Sequence, residues 1–148
     1  MAASAQNSSL DEQICFALYN ASRALTARYR NLLAPLGITY PQYLVLLVLW
    51  ETGTSTVSQL GERLHLDSGT LSPLLRRMVA ADLIVKSRSL ADERIVEVGL
   101  TSHGQALHRE AAGITASICA ATGLAQQDLM ELRDQIAELS GHVRASTP

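Results

Sequence analysis

The sequence predicts a mainly α-helical fold with one small β-wing. Apolar residues recur at helical spacing along most of the chain, whereas residues 83–101 change to the alternating spacing of strands. Of the 148 residues, 47% are apolar and 18% are charged, which excludes a disordered chain. The net charge of −2 excludes an overall basic field but leaves room for a local basic face. We therefore expect residues 1–148 to form one domain.

The first predicted helix covers residues 10–34. Ser9 and Glu12 have the spacing of a capping box, in which side chains satisfy the free amides at a helix start. Thr39 and Gln42 have the same spacing and predict a second helix start. The helix that follows, "YPQYLVLLVLWE", is apolar nearly all round and should be buried.

Residues 54–101 have the order of a winged helix-turn-helix. A short helix ends before the turn "HLDS", which offers a helix cap at Asp67 or Ser68. Pro73 should lie in the first turn of the next helix or mark a bend, because proline lacks an amide donor. Two strands joined by the polar loop "SRSLADER" then predict a β-hairpin.

Residues 102–145 predict two further helices. Ser102 and Gln105 have the spacing of a third capping box. An alanine-rich helix should run from there to about Thr122, where Gly123 breaks it. The last stretch, "LAQQDLMELRDQIAELSGHV", has the spacing of an amphipathic helix.

The helix-turn-helix order points to DNA. A helix fits the major groove, where short polar residues near its start reach base edges, and arginines on a hairpin tip suit the minor groove. In the alternative interpretation, a helix-turn-helix binds no nucleic acid and its arginines are only solvated. Residues 56–101 hold six basic and six acidic groups, so charge does not decide. The candidate DNA-binding residues are Asp67, Ser68, Gly69, Thr70, Ser72, Arg76, Arg77, Arg88 and Arg94.

The segment "LDSGTLSPLLRRMVAADLIVKSRSLADERIVEVGLT" resembles the core of MarR-family transcriptional regulators, and the resemblance spans well over half of the chain. It implies a recognition helix over residues 68–81 and a wing in which Asp92 steadies Arg94 in the minor groove. It also implies a homodimer held together by dimerisation helices at 10–34 and 102–145. Such a dimer would place its recognition helices about 34 Å apart and read a palindromic operator in double-stranded DNA.

Cys15 lies on one face of the first predicted helix with Tyr19 and Tyr29. Tyr29 is fourteen residues away, or roughly 21 Å along the axis, so only Tyr29 of a second chain could reach Cys15. We expect Cys15 in the second turn, where the helix dipole helps a thiolate little. In the simpler interpretation Cys15 is a small core residue, because cysteine and helically spaced aromatic residues are usually buried.

The stretch "CFALYNASRALTARYR" resembles the organic-hydroperoxide-sensing OhrR type of the MarR family. The resemblance implies that Cys15 reacts with organic hydroperoxides and that Tyr29 and Tyr40 support its thiolate across the dimer interface, with Tyr19 nearby. Cys119 is placed like the resolving cysteine of two-cysteine members, which form a disulfide between subunits. Alternatively, Cys119 only packs in a small-residue helix.

The resemblance implies a repressor of a peroxide-resistance gene, released from DNA when Cys15 is oxidised. One alternative is a MarR-type repressor released by a bound phenolic or lipophilic ligand. A cysteine enzyme lacks support, because no histidine or carboxylate serves Cys15 in sequence. We expect no cofactor, no metal site and no membrane span, since no apolar run approaches the roughly 20 residues required. The first ten residues lack a signal-peptide pattern, so we expect a cytoplasmic protein.

Overall fold

The computed structural model describes residues 9–148, so the expected absence of a signal peptide concerns residues mostly outside this range. The chain divides into two compact units, one up to Ala112 and one from Gly113 onwards. The first unit contains α1 (Ile14–Leu33), α2 (Tyr40–Thr52), β1 (Thr54–Thr56), α3 (Val57–Leu64), α4 (Ser68–Ala80), β2 (Ile84–Arg88), β3 (Val96–Leu100) and α5 (Ser102–Glu110). The second contains α6 (Ile114–Ala121) and α7 (Gln126–Ser146). This order confirms the predicted mainly α fold with a small wing.

The start of α1 differs from the prediction. Ser9 precedes only a 3-10 turn at Leu10–Glu12, and its side chain makes no capping hydrogen bond. Gln13 then adopts an extended backbone, which interrupts the helical path, and α1 begins at Ile14. The capping box predicted at Ser9 is therefore wrong, because the extended residue separates it from the helix.

The start of α2 is as predicted. The Thr39 hydroxyl accepts a hydrogen bond from the Gln42 amide at 3.4 Å, and the Gln42 side chain accepts one from the Thr39 amide at 3.0 Å. Tyr43, Leu46 and Leu49 of this helix are buried in the core of the first unit. The prediction of a buried second helix is confirmed.

The wing is part of a three-stranded antiparallel sheet in the order β1-β3-β2. The predicted hairpin is present as β2 and β3, with Val85 opposite Gly99. Strand β1 was not predicted, because three residues are too few to show an alternating pattern. It pairs Ser55 with Val98, whose side chain is fully buried.

The junction between the sheet and α5 depends on Thr101 and Gly104. The Thr101 hydroxyl caps α5 by accepting from the Gly104 amide at 2.9 Å, and it donates to the Asp82 carbonyl at 2.6 Å. A Cβ on Gly104 would overlap the Leu83 carbonyl oxygen. The predicted capping box at Ser102 is therefore wrong: the cap is Thr101, one residue earlier, and Gly104 at the third helical position has no side chain to complete a box.

The predicted single helix from residue 102 to about 122 is also wrong. The first unit ends just after α5, and α6 begins at Ile114. Gly113 stands at the break, and glycine has a low helix propensity. Within residues 9–148 no single helix is both long and apolar enough to cross a membrane; one pair, 14–36 with 40–52, satisfies both criteria together but is bent by 73°.

Candidate DNA interface and thiol site

Helix α4 presents one apolar and one polar face. Asp67 caps the helix by accepting a hydrogen bond from the Thr70 amide at 2.8 Å. The apolar face is buried through Leu71, Leu74, Leu75 and Met78. All the polar positions predicted on this helix are exposed, namely Asp67, Ser68, Gly69, Thr70, Ser72, Arg76 and Arg77. The geometry is therefore that of a helix free to enter a groove.

Pro73 is the sixth residue of α4, and the helix continues through it to Ala80. Of the two predicted positions, the first turn is wrong, and the alternative of a bend stays a prediction. Because proline has no amide hydrogen, the Gly69 carbonyl loses its helical donor. Gly69 is exposed, so water or another donor outside the chain can serve this carbonyl.

The wing holds an ion pair between Asp92 and Arg94. The guanidinium donates to both carboxylate oxygens, at 3.1 and 3.0 Å, and the Arg94 amide donates to the same carboxylate. These hydrogen bonds hold the pKa of Asp92 below its usual value. The Arg94 side chain nevertheless stays 90% exposed, so it is oriented without being covered. The structure thus brings together the two wing residues that the sequence paired.

The tip of the wing is closed by several hydrogen bonds. The Arg88 guanidinium donates to the Glu93 carbonyl at 2.7 Å, and the Ser89 amide donates to the Ile95 carbonyl at 2.8 Å. Leu90 stands at this tip with a fully exposed side chain. Sequence reasoning missed it, although a leucine inside a polar loop was a visible signal.

Cys15 is the second residue of α1 and is exposed. The expectation that it lies in the second turn is wrong, because α1 begins at Ile14. The first amides of a helix have no helical acceptor, so Cys15 lies at an end of α1 where backbone donors are free. Tyr19 follows one turn later, and the Arg23 guanidinium lies 5.6 Å from the centre of its ring.

The other two candidate phenols lie together, away from the Cys15 of their own chain. The Tyr29 and Tyr40 ring centres are 4.4 Å apart. Helix α1 is continuous over both Cys15 and Tyr29, so the separation of roughly 21 Å along its axis holds. Burial, and secondarily Tyr43, raise the pKa of Tyr40, so its hydroxyl keeps its proton at neutral pH and can donate.

These phenols begin an aromatic row that sequence reasoning did not foresee. The row consists of Tyr40, Tyr29, Tyr43, Trp50 and His108, with neighbouring ring centres between 4.4 and 6.1 Å apart. The Trp50 and His108 rings are stacked, and the Trp50 indole donates to the α5 backbone at 3.0 Å. The row therefore joins the end of α1 to α5 through α2.

Cys119 lies in α6 of the second unit and is partly buried. Cys15 and Cys119 are both free thiols. Among residues 9–148, no group of three or more His, Cys, Asp and Glu side chains is arranged to hold a metal ion.

Comparison with known proteins identifies the family. Residues 28–110 match the family described as Transcriptional regulator SarA/Rot. The chain is 46% identical over 130 residues to the organic hydroperoxide resistance transcriptional regulator of Bacillus subtilis (strain 168), covering 88% of each protein. The chain belongs to the SarA/Rot and MarR family of winged-helix regulators. It is a DNA-binding transcriptional regulator and not an enzyme.

Solved structures of AbfR, a Staphylococcus epidermidis protein, are similar to this regulator. Reduced AbfR bound to DNA is 32% identical, with a TM-score of 0.77 over 90% of this chain and 94% of AbfR. AbfR with a disulfide formed is 35% identical, with a TM-score of 0.60 over 88% and 91% of the two chains. The predicted winged-helix fold is confirmed by these similarities.

Proposed function

We propose that this regulator senses organic hydroperoxides through Cys15 and leaves its operator when Cys15 is oxidised. The observation that carries the proposal is the position of Cys15, exposed in the first turn of α1, where a hydroperoxide can reach its sulfur from solvent. The B. subtilis relative is named for organic hydroperoxide resistance, which supports the same signal here. We infer that the target is a peroxide-resistance gene and that the regulator represses it.

The chemistry starts with the Cys15 thiolate. Its sulfur attacks one peroxide oxygen, the O–O bond breaks, and the remaining alkoxide takes up a proton and leaves as an alcohol. The cysteine is thereby oxidised to a sulfenic acid, and the hydroperoxide is reduced. No metal or cofactor is needed for this step.

We propose that the regulator acts as a homodimer through its terminal helices. Helix α1 exposes Ile14, Phe16 and Leu25, although a 20-residue amphipathic helix normally buries such residues. Helix α7 exposes an apolar stripe at helical spacing, made of Leu132, Ile136, Leu139 and Val143. A second copy covering these surfaces would remove them from water and set the two α4 helices against successive turns of a palindromic operator.

Within that dimer, two α1 helices that cross near their middles would bring the partner's Tyr29 to Cys15. Tyr40 would follow, because its ring packs on that of Tyr29. A Tyr40 phenol that keeps its proton can donate a hydrogen bond to a thiolate. The separation of roughly 21 Å within one chain makes this arrangement between chains necessary.

Cys119 is the proposed resolving thiol. It would condense with the sulfenic acid on Cys15 of the other subunit, forming a disulfide and releasing water, and cellular thiols would reverse the reaction. A disulfide form of AbfR has been solved, which supports this chemistry within the family. Closure of the bond would shift the terminal helices and displace the α4 pair from its DNA spacing.

A mobility-shift assay with DNA flanking its own gene tests the proposal. Wild-type protein should bind when reduced and be released by cumene hydroperoxide, whereas Cys15→Ser should bind equally and resist release. Cys119→Ser is the matched control for loss of a thiol, since it should still form the sulfenic acid but give no covalent dimer on a non-reducing gel. Unchanged release of Cys15→Ser would instead favour a bound phenolic or lipophilic ligand as the signal.

A further inference from the structure

Leu90 is an apolar side chain that no residue in the described range 9–148 covers. Its relative exposure is 106%, the highest among the exposed large apolar residues of the described chain. Exposed single leucines are common on protein surfaces and need no explanation by themselves. Leu90 differs from these because of the loop that holds it and the groups on either side.

The loop around Leu90 is held in one shape. The Ser89 amide donates to the Ile95 carbonyl at 2.8 Å, the Ile95 amide donates to the Asp92 carbonyl at 3.0 Å, and the Ala91 amide donates to the Ser89 hydroxyl at 3.3 Å. These bonds bracket Leu90 on both sides. Because the loop is already ordered, a contact made by Leu90 would cost little additional conformational entropy.

Charge alone gives the wing little attraction for DNA. Residues 84–100 contain three basic and three acidic side chains, and one acidic group, Asp92, is paired with Arg94. Arg88 and Arg94 can still reach the minor groove locally, where the potential is most negative. Because the wing has no net positive charge, its affinity for DNA needs a contribution that does not depend on charge.

We propose that Leu90 is an apolar wedge that enters the minor groove of the operator between the two arginines. This rests on the placement of the wing in the minor groove, which the resemblance to MarR-family regulators implies, and not on the redox proposal. Leucine is among the side chains that minor-groove proteins press against a base step, which opens the step and bends the duplex. Pyrimidine–purine steps open most easily, so Leu90 would favour such a step under each wing.

The test uses fully reduced protein and a duplex selected from random DNA by the wild type, so that peroxide chemistry plays no part. Leu90→Ala should bind roughly fivefold to tenfold more weakly, because one apolar contact is lost. The dependence of log K on log salt should stay unchanged, since no phosphate contact is removed. Arg94→Ala should instead reduce the magnitude of the slope of log K against log salt by about one, because one phosphate contact is lost.

Val85→Ala is the matched control. Val85 is also an exposed apolar residue of the hairpin, but it lies in β2 opposite Gly99 and away from the tip. The Val85→Ala variant should bind DNA as tightly as the wild type does.

Leu90→Ala should also bend the duplex less than the wild type does. It should lose the preference for TA over AA at the base step under the wing.

Wild-type affinity, bend and step preference in Leu90→Ala would overturn the wedge. A fall in the salt dependence would also overturn it, because Leu90 would then act by positioning an arginine. If Arg94→Ala binds DNA as tightly as the wild type, the wing does not lie in the minor groove, and Leu90 cannot act as a wedge there. None of these results bears on whether Cys15 senses peroxide.

Discussion

Cys15 occupies the second position of α1, within the first turn, and its side chain is exposed. Tyr19 is one turn further along the same helix, and the phenols of Tyr29 and Tyr40 are at its far end. In the proposed mechanism, a single chain therefore supplies one part of the thiolate site at each end of α1. Two chains would supply two complete sites, which links the chemistry of one residue to the assembly of the protein.

The ion pair in the wing gives a prediction at the same scale. Asp92→Asn removes the carboxylate that orients Arg94 through two hydrogen bonds, so we expect DNA affinity to fall by roughly threefold to tenfold. Glu93→Gln is the control, because Glu93 contributes its backbone carbonyl to Arg88. Fluorescence anisotropy with operator DNA measures both; equal affinities would show that Arg94 needs no orientation.

The same pair predicts how binding depends on pH. Arg94 lowers the pKa of Asp92 below its usual value of 3.8. A lowered pKa means that the pair is fully formed above that usual value and is lost only as the pH falls through the lower one. The affinity difference between wild type and Asp92→Asn should therefore stay constant from pH 5 to 8. An affinity difference that shrinks between pH 5 and 8 would contradict the lowered pKa of Asp92.

At the scale of elements, the junction of α4, β2 and α5 is fixed by backbone contacts. Thr101 reaches both the start of α5 and the Asp82 carbonyl. Gly104 lets α5 approach Leu83, just after α4, closely enough that no Cβ fits. Together these two residues hold the wing and α4 in a fixed relation, which the proposed binding of DNA in two grooves requires.

Gly104→Ala tests this close approach. In an open helix this change would stabilise the protein by about 0.5–1 kcal/mol. Here the new methyl group meets a backbone carbonyl that cannot move cheaply, so we expect the free energy of unfolding to fall by about 2 kcal/mol or more. Gly141→Ala is the control, since a Cβ at Gly141 would have no described residue within 4 Å apart from the adjacent backbone of its own helix. Denaturant unfolding of both variants would decide; equal effects would refute the close contact.

The elements also show what a sequence can and cannot predict. The cap at Thr39 and the burial of α2 depend on residues a few positions apart, and both were predicted correctly. The missed elements depend on distant contacts. Strand β1 exists because Ser55 pairs with Val98, and the cap of α5 lies at Thr101 because Asp82 holds its hydroxyl. No local pattern carries such information.

The candidate thiol site around Cys15 was likewise only partly predictable from the sequence. The spacing of Cys15, Tyr19 and Tyr29 on one helical face was readable from the sequence, because it follows from helix geometry alone. The environment of Cys15 was not, since the start of α1 depends on an extended backbone at Gln13. The aromatic row was also unreadable, because it joins residues of three helices.

At the scale of the whole molecule, the terminal helices carry apolar surfaces that a monomer would leave in water. The α7 stripe, defined above, has the i, i+4, i+7, i+11 spacing of one helical face. A protein with such a stripe is expected to associate with a partner of the same kind, and the twofold symmetry of that association would be copied in the operator.

Ile136→Lys tests this association. A charge at the middle of the stripe should raise the dimer dissociation constant by at least a hundredfold, because an unpaired ammonium group would be buried. Ala137→Lys adds the same charge to an exposed position on the other side of α7 and should leave the dimer intact. Sedimentation equilibrium distinguishes the two variants. A wild-type monomer, or a dimer unaffected by Ile136→Lys, would exclude α7 from the interface.

Trp50 is the only tryptophan in the chain. It stacks on His108 of α5 with ring centres 4.8 Å apart, and its indole donates a hydrogen bond to the Gly104 carbonyl. Indole emission responds both to hydrogen bonding and to the protonation of a stacked imidazole. The protein therefore carries its own optical probe where α2 meets α5, and movement at that joint can be followed in real time without attaching a dye.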